Sequence, residues 1–259
     1  MDFTINRMKM VAYLTKCRLG GSIKDIVISG ANDQISSRFA DAHRTMYCEL
    51  YEPDVRIAEK GVLKIGNIDQ VISTINRSDS ESIRVKLVGN YFLVTDGAKA
   101  GKFKAKISTI GDAEFIESFQ SIKDKKDLFD REKLTYVGGK YAYETGFEIP
   151  HGSLSELLKD AKAFGFENYT FEEKEGILNC TIENRGTKDS FVRRLITIGK
   201  IGSGEISRVT VGAGFREMVT SLDKEVVDKG KLALRMYFNK STVLITNGTT
   251  YFYNLHVID

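Results

Sequence analysis

Two stretches of this chain carry the same apolar pattern about half a chain apart, and a repeated pattern of this kind builds two similar units in place of one large core. Ile68, Val71, Ile72 and Ile75 follow the p, p+3, p+4, p+7 spacing of one helix face. Phe215, Met218, Val219 and Leu222 repeat it 147 residues later (215 − 68 = 147). Each helix leads into an alternating strand, Ile83, Val85, Leu87 in the first copy and Leu232, Leu234, Met236 in the second. A further strand then reaches a turn pair, LVTDG at 93–97 and LITNG at 244–248, and Asp-Gly and Asn-Gly both favour hairpin turns. The same offset sets Leu154, Leu157, Leu158 and Ala161 against Arg7, Met10, Val11 and Leu14, with Arg7 as the polar interruption. Ser153-x-x-Glu156, just after Pro150, predicts a capping box for that helix, and Asn67 with Gln70 resembles the same device.

Short strands are predicted at 26–29, 35–39, 45–51, 103–107, 169–171, 177–182 and 191–196. A charged stretch from 111 to about 133, containing Lys123, Asp124, Lys125, Lys126 and Asp127, reads as a linker. The expected organisation is therefore an N-terminal domain over 1–112, a connecting segment over 113–136 and a C-terminal domain over 137–259. The fold class is α+β, two similar domains each with two helices packed on antiparallel sheets.

Composition removes most other classes. The 259 residues are 42% hydrophobic with only two prolines, which excludes disordered and collagen-like chains. The apolar run at 10–14 is too short for a signal-peptide core and no run approaches a membrane span, so an intracellular protein without a membrane partner is expected. Cys17, Cys48 and Cys180 are odd in number and dispersed, which predicts buried thiols and no disulfide framework. His43, His151 and His256 are isolated, so neither a metal nor another cofactor is expected. The Gly97-x-x-x-Gly101-Lys102 stretch is one residue short of a phosphate loop and leads into a strand. With no nucleophile placed near a base, an enzyme is the weakest reading and no catalytic residue is assigned.

Charge is informative only through its distribution, because 38 Lys and Arg against 35 Asp and Glu leave +3 overall. Position p+9 points directly away from the apolar stripe of a helix. In the four helices that position holds Lys16, Arg77, Ala163 and Lys224, with Lys9, Lys159 and Lys162 also on the polar side. Any amphipathic helix carries charge outside. A shared phase across the repeat favours a common partner, and basic and hydroxyl groups without a base-reading arm suit the phosphates of double-stranded DNA, contacted without sequence preference.

These elements resemble the DNA sliding clamps of the proliferating cell nuclear antigen type, the polymerase processivity factors of DNA replication. The resemblance rests on DFTIN followed by RMKMVAYLTKC, on ISSRFADAHRTMYCELYEP, on IGNIDQVISTINRSDSESIRVKLVGNYFLVTDG, on IPHGSLSELLKDAKAFG and on the closing LITNGTTYFYNLHVI. It implies a duplicated DNA-clamp fold, three chains closing head to tail into a homotrimeric ring, and a DNA polymerase and a clamp loader as protein partners. By position it implies a subunit edge at Phe103, Ala105 and Ile107. It also implies a peptide-docking pocket formed by Ala40, Arg44, Met46, Leu128, Phe129, Tyr253 and Leu255. The missing Ala-Pro near the end, a tail reduced to Asp259 and a positive net charge depart from the family pattern and mark a divergent member, with a viral origin among the alternatives. The location implied is the nucleoid or nucleus, or the host cytoplasm for a viral protein. Two other readings stay open on the residues: a processivity factor that binds by charge without a ring, and a β-rich structural or assembly protein of a virion.

Overall fold

The computed structural model describes residues 1–40, 46–97, 103–109, 129–130, 135–136, 143, 145–184, 186, 189–206, 208–212, 214–223, 233–239, 242–248 and 250–254. The chain divides into two compact units, Met1–Ala42 with Cys48–Ile122 and His43–Tyr47 with Lys123–Asp259.

The first unit opens with β1 (Asp2–Asn6), which runs straight into α1 (Arg7–Arg18) because the Asn6 side chain accepts hydrogen bonds from the Met8 and Lys9 amides and caps the helix. Then follow β2 (Ile26–Ala31), β3 (Gln34–Ala40), β4 (Met46–Glu52), β5 (Arg56–Glu59), β6 (Gly61–Ile65), α2 (Ile68–Ile75), β7 (Ser82–Val88), β8 (Tyr91–Asp96) and β9 (Lys104–Ser108). One sheet has the order β5-β1-β7-β8-β9, and a second run is ordered β4-β3-β2-β6. The β2–β3 hairpin turns on Asn32 and Asp33, both in the left-handed region that such two-residue turns require. The predicted cap at Asn67 forms, its side chain accepting from the Gln70 amide at 3.1 Å.

Asp2 ties β1 to β7. Arg84 donates to both carboxylate oxygens, at 2.8 and 2.6 Å, and this forked bond holds the Asp2 carboxyl below its ordinary range. The folded form thus binds the proton more weakly than the unfolded chain, so the contribution is complete above about pH 4 and is lost as pH falls through the depressed value. Asp2→Asn is expected to cost about 1 kcal/mol at neutral pH. In thermal melts the gap between the two proteins should close below pH 4; a gap that persists there would mean that the pair contributes nothing.

Within the segment read as a linker, β10 (Phe129–Asp130) and β11 (Thr135–Tyr136) pair with each other and belong to the second unit; the rest of that segment is outside the described residues. The second unit holds β12 (Thr145–Pro150), α3 (His151–Phe164), β13 (Asn168–Lys174), β14 (Ile177–Glu183), β15 (Ser190–Arg194), β16 (Gly199–Gly202), β17 (Val209–Val211), α4 (Gly214–Asp223), β18 (Ala233–Phe238), β19 (Val243–Thr246) and β20 (Thr250–Asn254). Its strands are ordered β15-β14-β13-β17 and β16-β12-β18-β19-β20. β1–α1 and β12–α3 are thus the same strand-into-helix unit, and α2 with β7–β8 matches α4 with β18–β19. Phe215, Met218, Val219 and Leu222 are fully buried, as their spacing predicts.

Three local expectations need correction. Ser153 does not cap its helix: α3 begins at His151, and the Ser153 hydroxyl accepts from the Ile196 amide at 3.0 Å instead. Asp96-Gly97 does not form a two-residue hairpin. The Asp96 carboxylate accepts from Ser78 Oγ and the Phe103 amide, while β7 and β8 turn at Gly89-Asn90. The repeat offset of the first helix pair is 144, not 147, because Met10, Tyr13, Leu14 and Cys17 answer Leu154, Leu157, Leu158 and Ala161 (154 − 10 = 144). Tyr13 belongs to the core, its hydroxyl donating to Ser37 Oγ at 2.6 Å, which in turn donates to the Val27 carbonyl. All three cysteines are buried and free, and burial pushes the Cys17 thiol up to about 12.

Candidate nucleic-acid interface

The three-residue correction decides which basic side chains α1 presents. A shift of three positions rotates the buried stripe by about 60°. Lys16 then moves from the far side to the flank of the stripe, where it is 1% exposed, so it is removed from the predicted DNA contacts. Lys9 stays on the outside, but its ammonium lies 3.3 Å from Asp54 Oδ2 and 3.5 Å from Glu52 Oε1. Desolvation works against its charge, yet the hydrogen bond to Asp54 and the two nearby carboxylates leave Lys9 above the ordinary lysine range. Arg18, at the end of α1, pairs with Asp69 of α2 at 2.8 Å. Arg77 is exposed in the turn after α2 and forms no ion pair with a described residue.

On α3 both predicted lysines, Lys159 and Lys162, are exposed and form no ion pair with a described residue. Counting about 100° per residue from Leu154, they lie at roughly 140° and 80°, whereas Glu156 and Asp160 lie at roughly 200° and 240°. The two carboxylates are drawn to the other flank by Arg193 of β15, which donates to both. Lys224 is outside the described residues.

β9 is the outer strand of its sheet and pairs with β8 alone among the described strands. Phe103, just before it, and Ala105 are half-buried and Ile107 is buried, while Lys104 and Lys106 are exposed. In the second unit β15 is the outer strand of the other sheet, pairing with β14 alone among the described strands. Val192, on its open face, is 61% exposed, and Ile196, in the segment that follows, is 67% exposed. Sequence reasoning placed this strand without assigning it a role; the signal was an aliphatic residue on the same face as Ser190 and Arg194. Of the predicted peptide pocket, Met46 is buried at the start of β4, and Ala40, Phe129 and Tyr253 lie in β3, β10 and β20. Arg44, Leu128 and Leu255 fall outside the described residues.

No protein-family model matches the sequence, and no curated protein matches it. Solved structures do. The PCNA2–PCNA3 complex from Sulfolobus tokodaii matches over 99% of this chain and 99% of its own, with a TM-score of 0.70 and 12% identity. The DNA polymerase sliding clamp from Bacillus subtilis matches with a TM-score of 0.66 and 13% identity. The fold is that of the DNA sliding clamps. A clamp-fold chain of two units covers only 65% of the longer B. subtilis chain, although all of this chain is matched. A. fulgidus PCNA, solved with the C-terminal region of FEN-1 bound, matches over 100% of this chain and 98% of its own at a TM-score of 0.68 and 12% identity. No described helix is long and apolar enough to cross a membrane.

Proposed function

We propose that this chain is a DNA sliding clamp. It encircles duplex DNA as a homotrimeric ring and tethers the replicative polymerase, with no catalysis of its own. The observation that carries the reading is end-to-end correspondence: 99% of this chain matches 99% of a chain of the S. tokodaii clamp complex, so both units of the clamp chain are represented. The segments 1–112 and 137–259 serve as its two domains, joined through 113–136. A ring closed by rotation needs each chain to offer two unlike, complementary edges. The outer strand β9, with Phe103, Ala105 and Ile107, and the outer strand β15, with Val192 beside it, supply them. Strand pairing across the join would satisfy their open backbone groups and cover the exposed aliphatic residue. The A. fulgidus clamp is solved with the C-terminal region of FEN-1 bound, which supports docking of partner proteins here, the polymerase and a clamp loader among them.

Solution mass by light scattering over a range of protein concentrations tests the assembly. Three chains of 29.0 kDa give about 87 kDa (3 × 29.0 kDa). A species that stays at 29.0 kDa at every concentration would contradict a homotrimer.

A further inference from the structure

The basic residues of α1 and α3 differ in how they are compensated. Around the N-terminal turn of α1, the Lys9 ammonium meets two carboxylates within 3.5 Å, those of Glu52 and Asp54. Asp54 holds this arrangement from outside: its side chain is 81% exposed, and its residue sits at φ 60 in the turn between β4 and β5, where the following amide, Val55 N, donates to the Asp33 carbonyl. At the far end of α1, Arg18 is neutralised by Asp69. Lys9 and Arg18 are thus engaged by carboxylates, whereas Arg7, at the start of α1, meets the Ser80 carbonyl and no carboxylate among the described residues. On α3 the carboxylates are turned away to Arg193, and the lysine flank is uncompensated among the described residues.

We infer that Asp54 keeps Lys9 of α1 off the duplex, while Lys159 and Lys162 of α3 carry a phosphate contact. The inference rests on the clamp reading for its partner, duplex DNA. It makes the acidic clasp on Lys9 a device that limits how tightly the protein holds its track.

Counterion release makes this measurable, since each lysine on a phosphate adds about 0.9 to the slope of log affinity against log salt. Binding of the full-length protein to a fluorescent duplex of mixed sequence is followed by anisotropy from about 50 to 200 mM salt, where one contact is worth about a threefold change in affinity. Lys159→Gln with Lys162→Gln is expected to reduce the slope by about 1.8. Lys9→Gln should leave it unchanged. Asp54→Asn, which tolerates the left-handed backbone, should tighten binding and steepen the slope by up to about 0.9. A Lys9→Gln slope that falls as far as that of either α3 lysine, or an Asp54→Asn slope equal to that of the parent, would overturn the inference while leaving the clamp reading intact. Absence of any duplex affinity at low salt would overturn both.

Discussion

Lysine at Val192 is expected to convert an assembly of about 87 kDa (3 × 29.0 kDa) into 29.0 kDa monomers while leaving the circular-dichroism spectrum unchanged. Val192 stands opposite Thr181 of β14 on the open face of the outer strand, away from Phe191, whose ring stacks on Phe164 at 5.5 Å. Its side chain touches little of its own unit, so the substitution leaves the fold in place. At a join with β9 the new ammonium would be taken out of water without a partner, next to the exposed Lys104 and Lys106, and a buried unpaired charge costs several kcal/mol. Lysine is the informative choice because those two lysines would repel it, whereas glutamate could pair with them. Light scattering on the variant and its parent measures the effect, and a variant that keeps the parent's mass would remove β15 from the interface.

Phe215→Ala should destabilise the second unit by about 4 kcal/mol, the cost of a large cavity in a packed aromatic core. Phe215 is fully buried, with its ring centroid 4.9 Å from that of Tyr169 and 5.2 Å from that of Phe171, which in turn meets Phe238 at 5.5 Å. These contacts fasten α4 to β13 and β18. Because the chain has two compact units, urea unfolding need not be a single transition. The variant is expected to lose the second unit at lower urea while the first unit keeps its midpoint. A shift worth less than about 1 kcal/mol would mean that the site collapses around the smaller side chain.

Where burial is set by regular spacing of aliphatic residues, the sequence was a reliable guide: α2 and α4 bury the side chains that their common pattern selects, apart from the half-buried Ile72. The first helix was misphased because the 147-residue offset of the other helix pair was carried over to it, whereas Tyr13 packs inward with its hydroxyl donating to Ser37. That single choice carried Lys16 to the wrong face. Ser153 and Asn6 show a second limit. Both are residue types that cap helices, and only the tertiary partner decides which of them does: the Ile196 amide claims Ser153, whereas among the described residues the Met8 and Lys9 amides claim Asn6. Charge was legible as composition but not as effect. Glu52 and Asp54 are more than forty residues from Lys9, and Arg193 is more than thirty from Glu156 and Asp160, so local spacing could not reveal which lysines are compensated.

The central claim is topological, and retention on circular against linear duplex tests it most directly. Protein loaded onto a nicked circular plasmid is passed through a sizing column at a salt concentration high enough to abolish phosphate contacts, then the plasmid is cut once and the column repeated. A closed ring stays with the circle through the first passage and is lost from the linear form in the second. Equal loss from circular and linear DNA would mean that the protein holds its track by charge alone, and would contradict the ring.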